Sequence, residues 1–216
     1  MSGTDPSDGI LTARLRLAPV AEADEAELFA LHSDPRAFAE DSTQPLTDPS
    51  QMRWVLAQWR ESWVRHGLGH LAIRARRDPQ SEGGADLPVG LLGVVGLAPL
   101  VGEGSGDGED GSEAPVLSAY WRLTPAATGR GVATEAMRAV LARLAPPSAS
   151  PSADGPRPDA AGPPEIVAIT AGTNRPSLAL AKRLGFRPAP PERPVPGGRQ
   201  GDVLLLLRPS AATSLD

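Results

Sequence analysis

The chain has 216 residues, enough for one substantial core, and its 21 Lys and Arg against 26 Asp and Glu give a formal net charge of −5. That balance excludes a basic nucleic-acid tail or a polybasic membrane patch, and no apolar run reaches bilayer-spanning length. There is no cysteine, which excludes disulfides, thiolate nucleophiles and cysteine-ligated metal centres, and three scattered histidines give no basis for a metal site.

The opening Met-Ser-Gly-Thr-Asp has neither a positive n-region nor an apolar h-region, so no signal peptide is read and cytoplasmic residence is expected. Residues 1–9, 101–114, 146–164 and 187–201 hold much of the 24 Pro and 23 Gly. Such stretches lose more backbone entropy on ordering than apolar burial returns. Flexible segments are therefore expected at 1–9, 101–114, 146–164 and 210–216, with a further loop over 187–201. They surround a single domain spanning 10–209.

Residues 11–19 alternate, with Leu15 and Leu17 on one side and Arg14 and Arg16 on the other, which predicts a half-buried strand. Asp24 followed by Glu27 predicts a capping box for a short helix that ends before Pro35. Asp48-Pro49-Ser50-Gln51 predicts a helix start with an aspartate cap, a proline in the first turn and a glutamine box partner. Met52, Val55, Leu56, Trp59 and Trp63 continue it at helical spacing until Gly67. Strands are predicted over 68–75, 89–99 and 115–124. The near-continuous apolar run Leu91-Leu92-Gly93-Val94-Val95 suits a central position. Val132, Ala136, Val140 and Leu144 share one face of a helix over 130–145, which Pro146 and Pro147 end. A strand over 165–170, a helix over 177–184 closed by Gly185, and a strand over 202–207 complete the order. This is an α/β (α+β) pattern: a mixed, mostly antiparallel sheet of about six to seven strands flanked by helices.

Two segments carry the chemistry. Thr128-Gly129-Arg130-Gly131-Val132-Ala133 reads as a tight glycine turn opening onto a helix. The first N–H groups of a helix lack intrahelical acceptors and attract phosphate oxygens. Arg130 can add a charge-assisted contact to the same anion. The spacing is neither the dinucleotide-binding fingerprint nor a P-loop, and an ordinary helix start is the competing reading. The second segment is Asn174-Arg175-Pro176-Ser177 through Leu184-Gly185-Phe186. Asn174 reads either as a helix cap or as a cofactor contact, and Ser177 likewise. Lys182 and Arg183 read as solvated helix cations.

In order and spacing these segments resemble the GCN5-related N-acetyltransferase (GNAT) superfamily, in particular its ribosomal-protein N-terminal acetyltransferase (RimJ/RimL-like) branch. The opening Leu-Thr-Ala-Arg-Leu-Arg-Leu-Ala-Pro, Leu-His-Ser-Asp-Pro at 31–35, Tyr120-Trp121-Arg122-Leu123-Thr124-Pro125 with the following glycine turn, and the 174–186 segment all carry the likeness. It covers nearly the whole chain outside the long loops. It implies acetyl-CoA in a splayed cleft between the strands at 115–124 and 165–171. Amides from Gly129 to Ala133 would hold the pyrophosphate, backbone groups of Trp121, Arg122 and Leu123 the pantetheine arm, and Asn174 and Ser177 the thiol-side arm. The sequence departs from the branch at Thr128, where glutamine or arginine is common, and at 117–119, where Leu-Ser-Ala stands in place of the usual acid.

The resemblance implies direct attack by a neutral amine in a ternary complex, without an acyl-enzyme. An α-amine, with a reference pKa of about 8, is roughly a tenth neutral at pH 7, whereas a lysine amine near ~10.4 is neutral in about one part in 2,500. With no acid on the cofactor strand, an α-amine or low-pKa small amine is the favoured acceptor. Candidate catalytic residues are Glu40 and Asp41, in the loop expected to line the acceptor side, Ser118 as a proton relay, and Tyr120, the sole tyrosine, as acid to the leaving thiolate or as a core residue. Glu135 is a weaker candidate base, better placed to support the loop, and His32 and His70 read as structural. The acidic run at 103–113 either steers a cationic acceptor or is linker. A non-catalytic acyl-CoA sensor or an interaction domain on the same fold is the alternative. The expected partner is an amine acceptor, a protein N-terminus or a small molecule, with monomer and homodimer both open.

Overall fold

A computed structural model describes residues 9–78, 80–100, 116–144 and 164–207. The expected flexible segments, the acidic run at 103–113 included, lie almost wholly outside these residues. One sheet of eight strands organises the described chain: β1 (Ile10–Leu11), β2 (Leu15–Pro19), β3 (His70–Ala75), β4 (Leu91–Pro99), β5 (Val116–Leu123), β6 (Glu165–Ala171), β7 (Phe186–Pro188) and β8 (Asp202–Leu207). The spatial order is β1-β2-β3-β4-β5-β6-β8-β7. Every neighbouring pair is antiparallel except β5 with β6. Four α-helices lie among the described residues: α1 (Glu25–Ser33), α2 (Pro49–His66), α3 (Val132–Leu144) and α4 (Arg175–Leu184).

The sheet has eight strands where about six to seven were expected, and two of them are short edge pieces. The single strand expected over 11–19 is a hairpin, because the chain turns between Leu11 and Leu15 and pairs Ile10 with Leu17. The second addition, β7, is three residues of the 187–201 region and its flank, captured by β8. Strand identity here depends on a partner, which local alternation does not encode.

β4 packs apolar side chains on both faces. Leu92, Val95 and Leu97 join the cluster under α3 and α4, while Leu91 and Val94 join that under α1 and α2. All five are nearly or fully buried, each contributing roughly 2 kcal/mol of transfer free energy. The central position read from the sequence follows from this two-sided burial.

α2 starts as its sequence requires. The Asp48 carboxylate accepts from the Ser50 amide at 2.7 Å, and Gln51 Oε1 accepts from the Asp48 amide at 3.0 Å. Gly67, at φ 63°, ends it. The box expected from Asp24 and Glu27 does not form. Asp24 instead accepts from the Ala21 amide at 2.8 Å, within a 3-10 turn leading into α1. Glu27 reaches away to the Leu91 amide and to Arg74. α4 begins at Arg175, two residues before the expected 177, because the Asn174 side chain caps it.

Candidate active site

The parallel β5–β6 pairing is short. It runs only from Val116↔Glu165 to Ser118↔Val167. Beyond it β5 continues against β4 to Leu123, and β6 continues against β8 to Ala171. The strands part, and a groove of about 1070 Å³ opens over the gap, lined by residues of β5, α3, α4, the hairpin and the loop after α1.

The leading end of α3 faces this groove. Gly129 and Gly131 both lie at φ 77°, where a side chain would be strained. Glu135 is the first residue to donate back along the helix, to the Gly131 carbonyl at 3.0 Å. The amides ahead of it have no intrahelical acceptor, and Thr128, Gly129, Gly131, Val132, Ala133 and Thr134 all line the groove. Free amides at a helix front, with the helix dipole behind them, suit an anion. Arg130 does not line it: its Nε donates to the Ala126 carbonyl at 3.0 Å, on the exposed side. The cations that do line the groove are Arg14, Arg36, Arg122, Arg138 and Arg183. A Cβ built on Gly131 would stand 3.4 Å from Arg14 Nη2.

Glu135 holds Arg14 in place. Its carboxylate accepts from the Thr12 hydroxyl, from the Arg14 amide at 3.0 Å and from Arg14 Nε at 2.7 Å. Burial pushes its pKa up, but the Thr12 and Arg14 hydrogen bonds together bring it below the ordinary glutamate value. Glu135 therefore ties α3 to the hairpin and is not a free base.

Trp121, Arg122, Leu123, Asn174 and Ser177 line the groove beside the splayed strands. The Trp121 indole crosses from β5 to α4 and donates to Ser177 Oγ at 3.1 Å, and its ring meets Phe186 edge-on at 6.1 Å between centroids. The Asn174 side-chain oxygen accepts from the Ser177 amide at 3.1 Å, so that oxygen serves the α4 cap. Arg183 is exposed, as its reading as a solvated cation expects, and it also borders the groove from α4.

On the acceptor side, Glu40 and Asp41 line the groove and Ser118 and Tyr120 do not. Asp41 pairs with Arg122 Nη2 at 2.6 Å. The Tyr120 hydroxyl accepts from Arg122 Nε at 3.0 Å and lies 3.0 Å from His32 Nε2. Burial raises the Tyr120 pKa, against the opposing pull of Arg122. Its hydroxyl is thus engaged beneath the loop, away from the groove, and does not present itself to a leaving thiolate. Ser118 stands at the last position where β5 pairs with β6, opposite Val167.

His32 and His70 lie under α2. His70 stacks on Trp59 at 4.1 Å, and its Nδ1 is buried without a hydrogen-bond partner. Burial lowers the pKa of His32 to about 4, with the Leu28 carbonyl opposing and Arg122 assisting. Burial, with His32 nearby, lowers that of His70 to about 3. Both rings are neutral near pH 7. Among the described residues no group of three His, Asp or Glu is placed to hold a metal, and no helix is long and apolar enough to cross a membrane.

Arg14, Arg138 and Arg183 escape a reading of the sequence, although two of them leave a faint trace. Arg138 follows Thr134 by four positions and Arg183 follows Pro176 by seven, so each shares a helix face with a groove residue. Nothing local marks Arg14, which the hairpin carries in.

The fold agrees with the comparisons. A GnaT-family protein from Bordetella pertussis is 28% identical, with a TM-score of 0.59 over 92% of this chain and 97% of that one. An acetyltransferase from Salmonella typhimurium, described as modifying the N-terminal serine of the 50S ribosomal subunit protein L7/L12, shares the fold at 16% identity. Its TM-score is 0.61 over 91% of this chain and 95% of that one. The microcin C7 self-immunity acetyltransferase MccE, solved with acetyl-CoA and AMP, shares it at 15% identity, with a TM-score of 0.61 over 90% and 92%. No curated protein matches the chain in sequence. The family described as the acetyltransferase (GNAT) domain matches residues 14–187. With that match over most of its length, the chain belongs to the GNAT acetyltransferases.

Proposed function

We propose that the protein transfers an acetyl group from acetyl-CoA to a primary amine, a protein N-terminal α-amine or a small-molecule amine, by direct attack in a ternary complex. The observation that carries this reading is the anion seat at the front of α3, which opens into the same groove as an unpaired carboxylate. Amides from Gly129 to Ala133 hold the pyrophosphate, with Arg14 beside them. The unpaired edge of β5 at Trp121 to Leu123 offers backbone groups to the pantetheine arm, and the Asn174–Ser177 turn borders it. Acetyl-CoA supplies the activated acyl group; the chain's own residues orient it and receive the amine.

Three carboxylates line the groove: Glu40, Asp41 and Glu135. Asp41 is bound to Arg122 and Glu135 to Arg14. Glu40 alone has no partner among the described residues, so it attracts the protonated amine and accepts its proton, directly or through water. The amine nitrogen attacks the thioester carbonyl carbon, the C–S bond breaks, and the leaving coenzyme A thiolate takes up the second amine proton through water. The solved relatives that modify an N-terminal serine or bind acetyl-CoA support this chemistry for the present chain, and an α-amine asks least of a single exposed base.

The test is thiol release from acetyl-CoA with peptides bearing free N-termini, polyamines and amino acids as acceptors. We expect turnover with at least one α-amine, and Glu40→Gln to lower kcat about thirtyfold or more with the KM for acetyl-CoA within about twofold. A melting temperature raised by acetyl-CoA without turnover on any amine would favour the sensor alternative.

A further inference from the structure

The loop carrying Glu40 is held by one side chain from the strand beneath it. The Arg122 side chain is 10% exposed and uses all three of its nitrogens. Nη1 donates to the Ala37 carbonyl at 2.7 Å, Nη2 to Asp41 Oδ2 at 2.6 Å, and Nε to the Tyr120 hydroxyl at 3.0 Å. The guanidinium carbon stands 3.7 Å over the centre of the Phe38 ring. Ala37, Phe38 and Asp41 bracket Glu40 on both sides. Below them the Tyr120 hydroxyl meets His32 Nε2, whose Nδ1 meets the Leu28 carbonyl at 2.8 Å, so the clamp is anchored into α1.

After the 3-10 turn Pro35–Phe38 the chain has no helix or strand until Pro49. Its backbone ties nearest Glu40 are the Asp41 amide to the Phe38 carbonyl at 2.9 Å and the Leu46 amide to the His32 carbonyl at 2.8 Å. Neither reaches β5. Among the described residues, the direct hydrogen bonds between this loop and the strand that borders the cofactor arm come from the guanidinium. A planar fork that also stacks on an aromatic ring meets this demand, and a lysine ammonium does not.

We propose that Arg122 is the positioning residue for Glu40: its guanidinium fixes the 37–41 loop to β5, so that the carboxylate and the cofactor strand form one rigid unit. This rests on the assignment of Glu40 to the acceptor amine.

The experiment compares full-length wild type with Arg122→Met, Arg122→Lys, Glu40→Gln and the double variant Arg122→Met/Glu40→Gln, using acetyl-CoA and the best acceptor from the panel. Arg122→Met is expected to lose about thirtyfold in kcat with the acetyl-CoA KM little changed, and Arg122→Lys to recover only a small part. The double variant is expected to be no slower than Glu40→Gln alone, because both changes act through one group. Losses that multiply overturn the proposal, since a merely structural role acts independently of Glu40. Amide hydrogen exchange gives a readout that needs no turnover. Residues 35–43 are expected to exchange faster in both Arg122 variants while β4 and α3 keep their protection. Unchanged exchange at 35–43 overturns the clamp. If Arg122→Met fails to fold, Arg122→Lys, which keeps the charge, decides by the same readouts. A wild type that turns over no amine defeats the assigned activity, and the exchange result then judges the clamp separately.

Discussion

Arg14 shows how one residue gains a role that its neighbours in sequence do not announce. The hairpin turns it toward Gly131, and Glu135 accepts both its amide and its Nε. It stands where negative charge would sit against the α3 amides. Arg14→Met is expected to raise the KM for acetyl-CoA about five- to tenfold with kcat little changed, read by initial rates. Gly131→Ala belongs to the same argument. At φ 77° an alanine costs about 1–2 kcal/mol, so the turn must relax, and weaker binding of acetyl-CoA is expected by calorimetry. The glycines and the amide seat were legible in the sequence because a tight turn before a helix is a local pattern. Arg14 was not, because its place depends on a hairpin closed by Ile10 and Leu17. Tyr120 was legible only as a choice between acid and core, and its bonds to His32 and Arg122 put its hydroxyl beneath the loop.

At the scale of elements, α2 and α4 show what capping decides. Asp48, Pro49, Gln51 and Gly67 bound α2 through contacts within a few residues, and the sequence displays all four. Asp48→Ala removes an acceptor from the first turn and is expected to lower stability by about 1 kcal/mol, measured by urea denaturation, with kinetics unaffected. Asp24 and Glu27 fit a capping box equally well on paper, yet Arg74 and the Leu91 amide claim Glu27. Long-range partners outbid a local pattern there. The same reason hid β7, three residues long, which exist as a strand only because β8 lies alongside.

At the scale of the whole molecule, the two buried imidazoles make stability depend on pH. Their folded pKa values, about 4 and about 3, lie below the ordinary 6.5. Above pH 6.5 both states hold them neutral and nothing is gained or lost. As pH falls below 6.5 the unfolded chain takes up protons that the folded chain refuses, and stability drops until the folded rings titrate. His32 alone contributes a loss on the order of 3 kcal/mol across that window. His70→Phe keeps a ring against Trp59 and removes the unpartnered Nδ1. Its melting temperature is expected to fall less steeply than that of the wild type between pH 6.5 and 4. Equal slopes would remove His70 from the account. The mixed sheet and the order of its elements along the chain were readable from the apolar runs and the chain-long resemblance. On the acceptor side the loop with Glu40 and Asp41 was readable, but its anchoring was not, since the Arg122 side chain meets the Ala37 carbonyl across 85 residues.

The three residue pairs that join β5 to β6 also divide the sheet mechanically. On one side lie β1 to β5, on the other β6, β8 and β7. The ladders on either side of it are longer, seven pairs for β4–β5 and six for β6–β8, whereas the seam has three pairs and the Trp121–Ser177 bond. The seam holds fewer hydrogen-bonded pairs than either ladder beside it, and the apolar cluster beneath it carries the rest of the join. A molecule lying along both free edges would bridge the two parts and limit how far the groove between them can open.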